Sequence, residues 1–201
     1  VSRALAFPAG TVAHLPGEGG ELADLLALQR AGVPLALLAL PAAVEDSLYR
    51  YNNLPARLAA VYAHVDPFDP DEDDVEEAEA AAHALLSAAH LLDDVIDAVY
   101  DGLEGLANEL VVRRPGAVVG EPAVGRRGVL LAIRALARSD WRASAVMERL
   151  TRHASVALDA RPVIVHARDA EPDEALSRLA AGVLGRPATV YARDGGVTGV
   201  R

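Results

Sequence analysis

The 201-residue chain contains no cysteine and no lysine, and all 19 of its basic residues are arginine. Without cysteine there is no thiolate nucleophile, no disulfide and no cysteine-ligated zinc. Without lysine there is no phosphate-loop lysine, no Schiff base and no amine nucleophile. Aromatic residues are scarce, with two Phe and one Trp. Long apolar runs are lacking too. The longest, Val33–Val44, is interrupted by Pro34 and Pro41 and is too short to span a bilayer. Val1-Ser2-Arg3 opens no signal-peptide pattern, so the expected compartment is the cytoplasm, with no membrane partner.

What is present is an alanine-rich alphabet, 41 Ala in all, with 52% apolar and 24% charged residues. That balance belongs to a globular domain and not to a disordered chain. At 21.0 kDa, folding is expected to bury about 70% of the unfolded surface, enough for one good core or two small ones. Residues 1–201 therefore read as a single domain. The net charge of −10 is unevenly distributed: residues 1–110 carry 4 Arg against 20 Asp and Glu, and residues 111–201 carry 15 Arg against 9. An acidic chain disfavours nucleic acid as a partner. The basic half permits a local anion or nucleotide site. Equally, the two halves are suited to attract one another, within one chain or between copies in a homo-oligomer.

Thr11–Leu15 reads as a strand and 16–20 as a glycine-bearing loop. Glu21–Ala31 reads as a helix with Leu22, Leu25, Leu26 and Leu28 inward, closed by Gly32, and Val33–Leu40 as a buried strand. The acidic run Asp66–Glu79 is a solvated loop entering a helix. Over Glu76–Leu110, Leu85, Ala89, Leu92, Ile96, Val99 and Leu103 form one apolar stripe, with His83, His90, Asp94, Asp97 and Asp101 opposite. Strands follow at Leu110–Arg113 and Arg161–Ala167, a glycine-bearing segment covers 116–128, and a long helix covers Val129–His153. A helix opens at Pro172 and stops at Gly185. Ala188–Arg193 and Val197–Val200 flank Asp194-Gly195-Gly196 as a hairpin. Helices mixed with hairpin strands give an α+β class, a mixed sheet with flanking helices.

Several side chains are candidates for chemistry. His90 and Asp94 stand i, i+4 and would share a helical face as metal ligands, or as the solvated side of an amphipathic helix. Arg134, Arg138 and Arg142, with Arg126-Arg127, offer an anion-binding face or a solvated one. Asp93-Asp94-Val95-Ile96-Asp97 resembles the first aspartate-rich helix of trans-isoprenyl diphosphate synthases. That resemblance implies a magnesium-dependent enzyme in which Asp93, Asp94 and Asp97 hold the metal and a diphosphate, with Arg113-Arg114 as the downstream arginine pair. It covers about 15 residues and lacks a second aspartate-rich motif.

A broader resemblance follows chain order. Leu15-Pro16-Gly17-Glu18, then Ala31-Gly32-Val33-Pro34, Ile96-Asp97-Ala98-Val99-Tyr100, Val112-Arg113-Arg114-Pro115, Pro122-Ala123-Val124-Gly125, Trp141-Arg142-Ala143 and Val163-Ile164-Val165 together resemble the N-terminal, ATP-grasp-like nucleotide-binding domain of phosphoenolpyruvate synthase and pyruvate phosphate dikinase. The resemblance implies the N-terminal part of an ATP-grasp-like fold, with ATP and magnesium as ligands where family binding persists, and Arg113 as the phosphate-contacting residue. The departures are specific. Glu18 stands where the family has its phosphate-binding Lys, Arg114 and Pro115 replace two Ser, and His166 stands near the usual Gln. Phosphoryl transfer depends on positioned cations around the transferring group. The expectation is therefore a degenerate, non-catalytic binding or regulatory module with a nucleotide or protein partner. A structural, self-associating protein is the alternative from a different class.

Overall fold

The computed structural model describes residues 20–201; the expected strand Thr11–Leu15 and the position of Glu18 lie outside them. The described chain is α+β. Helix α1 (Glu21–Arg30) leads to strand β1 (Leu37–Leu40), then to helices α2 (Ala42–Tyr51), α3 (Leu54–Val61), α4 (Glu72–Ala88) and α5 (Asp93–Gly102). Strands β2 (Glu109–Arg113) and β3 (Glu121–Val124) precede α6 (Gly125–Ser139) and α7 (Ala143–His153). The chain then runs through β4 (Val163–Ala167), β5 (Glu171–Asp173), α8 (Glu174–Leu184), β6 (Val190–Arg193) and β7 (Gly196–Val200).

The strands form two antiparallel sheets, a four-stranded one ordered β1-β4-β2-β3 and a three-stranded one ordered β5-β6-β7. The first is covered on both faces. Side chains alternate along a strand, and both sets are apolar here, so β1 and β4 read as unbroken apolar runs, Leu-Leu-Ala-Leu and Val-Ile-Val. Leu38, Leu40, Leu110, Val112, Val163 and Val165 enter the larger core with α2 to α7. Leu37, Ala39 and Ile164 enter a smaller core with α1, α8 and the β6–β7 hairpin. The Leu35–Val197 bridge and the Ala36 N–H to Val197 carbonyl bond (2.8 Å) join the second sheet to the segment before β1. The hairpin turn forms as the sequence predicts, with Asp194 and Gly195 both at positive φ.

Four sequence expectations are corrected. The sheet is not mixed: every strand pairing within the two sheets is antiparallel. The stripe over Glu76–Leu110 does not lie on one helix, because the backbone leaves helical geometry at 89–92. There the Asn52 side chain donates to the His90 carbonyl (2.8 Å) and accepts from the His90 N–H (3.1 Å). Arg134 donates to the Ala89 carbonyl. These partners from other helices replace the intrahelical bonds. Likewise Val129–His153 is two helices. The break at 140–142 is held by the Glu79 carboxylate, which accepts from the Ala143 N–H (2.7 Å) at the start of α7 and so satisfies a donor that a helix start leaves open. Finally, Pro172 lies in β5 opposite Tyr191, and α8 starts two residues later, capped by Asp173 accepting from the Leu176 N–H (2.8 Å). Helices α2 and α3 and strand β3 add elements beyond the sequence reading.

Asn52 also donates to the Leu48 carbonyl at 2.7 Å, so it ties the end of α2 to the α4–α5 break. Asn52→Ala is expected to lower stability by about 1–2 kcal/mol, seen as a lower urea midpoint with an unchanged denaturant slope.

Candidate functional site

β2 ends in two consecutive arginines, and alternation sends them to opposite faces of the sheet. Arg113 points towards α1 and β7. It is 4% exposed, and its two terminal nitrogens donate to the two Glu21 carboxylate oxygens at 2.6 Å each. Glu21 opens α1 and also accepts from the Gly116 N–H (2.7 Å) and the Val200 N–H (3.1 Å). Burial alone would raise its carboxyl, but the Arg113 hydrogen bonds and charge, with the two amides, outweigh it and hold the group below the usual glutamate range. Gly199 makes room for the pair: a Cβ there would meet Arg113 Nη2 at 2.7 Å and Glu21 Oε1 at 3.1 Å.

Arg114 points into the larger core. Its Nη2 bridges Glu45 of α2 and Asp140 (2.7 Å to the latter), and Nη1 donates to the Arg161 carbonyl at 3.0 Å. Asp140 also pairs with Arg161, and the Glu45 carboxylate accepts from the Arg161 N–H at 2.6 Å. The sequence pair that suggested anion recognition is therefore engaged with the protein's own carboxylates on both faces.

Above Arg113 the two sheets leave a cleft of about 430 Å³. Val111, Arg113 and His166 form its floor, and Tyr191, Thr198 and Gly199 its wall. Arg168 and Arg201 stand at the rim with Val118 and Val119 of the β2–β3 connection. The lining contains three arginines and a histidine and no carboxylate. The Arg201 guanidinium lies over the Tyr191 ring, 4.7 Å from its centroid. Arg168 is 60% exposed in its side chain and only 4.0 Å from an equally exposed Glu109 oxygen, an ion pair of little strength. Arg168 and Arg201 are thus the cations available to a ligand, whereas the charge of Arg113 is matched by Glu21. Of these lining residues the sequence marks Arg113 for phosphate contact; Arg168, Arg201 and Tyr191 carry no local motif and converge only in the folded chain.

His166 completes the floor. Its Nδ1 lies 2.8 Å from its neighbour Ala167's carbonyl oxygen, and its Nε2 accepts from Arg113 Nε at 3.1 Å. This assigns the proton to Nδ1 and leaves the ring neutral. Burial pushes its pKa down, and the facing Arg113 and Arg201 charges add to that against the Ala167 carbonyl and Glu21.

The other candidates lie apart from the cleft. Asp93, Asp94 and Asp97 are exposed on the first turns of α5, where Asp94 accepts from the adjacent Val95 N–H at 2.9 Å. His90 precedes α5 in the break, so it shares no helical face with Asp94. Among the described residues, no three His, Asp or Glu side chains gather as a metal site. Of the basic row, Arg134 and Arg138 reach the Ala89 carbonyl and the Ser87 hydroxyl, and Arg142 precedes α7. No described helix is long and apolar enough to cross a membrane. Compared with known proteins, the chain matches no family model and no curated protein.

Two predictions follow from the floor. Arg113→Ala leaves the Glu21 carboxylate buried without its partner, so it is expected to cost about 3–5 kcal/mol, whereas Arg113→Met with Glu21→Met should recover most of the loss. Urea denaturation of the three proteins checks this. The pH profile separates the two titrating groups. Glu21, with its pKa lowered by folding, contributes stability above the ordinary value of 4.5 and loses it as pH falls through the folded value. His166, also lowered, makes the fold lose stability earlier, as the unfolded imidazole gains its proton around its ordinary 6.5, before the folded one does. His166→Gln keeps an acceptor for Arg113 and does not titrate. It should flatten the stability profile as pH falls through the ordinary imidazole range, from about pH 7 to 5.

Proposed function

We propose that this protein is a non-catalytic binding module that takes an anionic, phosphate-bearing small molecule in the cleft between its sheets, as a degenerate relative of the nucleotide-binding domain of phosphoenolpyruvate synthase and pyruvate phosphate dikinase. One observation carries the reading: the cleft presents Arg168 and Arg201 above Arg113 with no carboxylate in its lining. Arginine is suited to this, since its planar fork meets phosphate oxygens in pairs. Tyr191 adds an aromatic face for a planar base, and the volume lies in the range of small-molecule sites. Magnesium does not fit the lining, which offers it no carboxylate ligand; the anion is met by guanidinium groups directly.

Thermal shift and calorimetry with ATP, GTP and phosphoenolpyruvate, each with and without magnesium, test this. A ligand at 100 times its Kd stabilises the fold by about 2.7 kcal/mol, which for a chain of this size raises Tm by roughly 5–10 °C. The expected shift is independent of magnesium, and Arg168→Gln or Arg201→Gln weakens binding about tenfold, the loss of one charge-assisted contact. Arg113→Ala is the wrong variant for the purpose, because it removes a buried ion pair. No shift with any of the three ligands at millimolar concentration sinks the proposal.

A further inference from the structure

Away from the cleft, the loop joining α3 to α4 reads Asp66-Pro67-Phe68-Asp69-Pro70-Asp71. Phe68 is 86% exposed, more than any other large apolar side chain among the described residues. A loose apolar residue at a loop tip needs no explanation by itself. This one is held out, however: the Phe68 N–H donates to the Asp66 carboxylate at 2.9 Å, a turn stiffened by a proline on either side. The surrounding acids, continued by Glu72 and Asp73 of α4, are joined to no cation by any ion pair among the described residues.

The complementary feature lies between α5 and α6. A cavity of about 280 Å³ is walled by Ile96, Tyr100, Leu130 and Leu131, with Arg127 and Arg134 among its lining residues and no carboxylate. Its volume suits one aromatic side chain better than a drug-sized ligand. Leu131 is 49% exposed at the mouth, and Arg127 has no ion-pair partner among the described residues. The Arg126 guanidinium lies 5.9 Å from the Tyr100 ring centroid, extending the basic rim. The aspartates of α5 do not line the cavity.

We propose that Phe68 of one copy seats in the α5–α6 cavity of a second copy, with Asp66, Asp69 and Asp71 against Arg126, Arg127 and Arg134. The occupant is another molecule of this chain because both complementary halves are present on it and no ion pair among the described residues joins these aspartates to these arginines. The aromatic anchor supplies the apolar contact, and the unlike charges set its orientation. Knob and cavity are different surfaces, so the pairing closes as a two-fold dimer where two reciprocal contacts form at once, and otherwise forms a ring or extends.

Sedimentation velocity over a concentration series tests the pairing with the intact chain and two exposed-site variants, Phe68→Ser and Leu131→Glu. The wild type should associate with rising concentration, and more weakly at 500 mM than at 50 mM NaCl, by roughly threefold or more in Kd as the charges are screened. Each variant should weaken association at least about tenfold, with its melting temperature unchanged from wild type. Phe68→Ser keeps the cavity and Leu131→Glu keeps the knob, so an equimolar mixture should recover a two-chain species that neither forms alone. A wild type that stays monomeric up to about 1 mM overturns the proposal. So does a Phe68→Ser protein that associates like wild type. A mixture that fails to pair also overturns it, since Phe68 then meets some other surface.

Discussion

The fold depends on what happens at the end of β2, where two neighbouring arginines leave the sheet in opposite directions. Arg113 binds the carboxylate at the start of α1, and Arg114 binds Glu45 of α2 and Asp140 between α6 and α7. The central sheet is a middle layer, and each arginine fastens it to one outer layer. Neither pair is strong evidence of net stabilisation, because desolvating charges costs about as much as their attraction returns. Their consequence is specificity of arrangement: any packing that separates Glu21 from Arg113 buries an unpaired charge. A sheet faced with nearly featureless aliphatic side chains, mostly Leu, Val and Ala, gains its registration against the flanking helices from these few polar contacts.

The uneven charge of the two halves takes on meaning in this frame. Glu21, Asp24 and Glu45 belong to the acidic half and Arg113, Arg114 and Arg186 to the basic half, and they pair across it. The acids drawn into these pairs are few. Among the described residues, the acids from Asp66 to Glu77 and the arginines of α6 have no ion-pair partner, so the asymmetry is only partly spent on folding. The lack of lysine fits the buried contacts as well. Arg114 addresses two carboxylates and two backbone carbonyls at once, a geometry that the planar guanidinium supports and a single ammonium does not.

Local signals were legible where the chain obeys local rules. The hairpin around Asp194-Gly195, the strands at β2 and β4, α1 and the stop of α8 at Gly185 all follow from turn chemistry and apolar runs. The helix breaks at 89–92 and 140–142 were not legible, because the groups that stabilise them, Asn52 and Glu79, lie 38 and 64 residues away in sequence. Apolar periodicity continued through both breaks, and nothing nearby contradicts it. The candidate site was legible only at its floor. Arg113 stands out beside Arg114 in a strand, but a motif cannot say whether a guanidinium meets a ligand or an internal carboxylate. Glu21 decides that, from the first turn of a helix 92 residues earlier.

That substitution of partners bears on how the cleft works. In a phosphate site the anion neutralises the arginine on arrival; here Glu21 has already done so, and the floor is nearly neutral before any ligand enters. His166 stays uncharged beside it, accepting a hydrogen bond from Arg113. Field strength in the cleft therefore comes from the rim, from Arg168 and from Arg201 over Tyr191. Rim charges are hydrated and screened, so under the proposed function capture and release would be rapid and salt-sensitive. On the proposed reading, recognition of an anion falls to the charged rim, because the floor beneath it is internally compensated. The same ion pair that fixes the fold thus also decides where positive charge stands free in the cleft, at the rim and not at the floor.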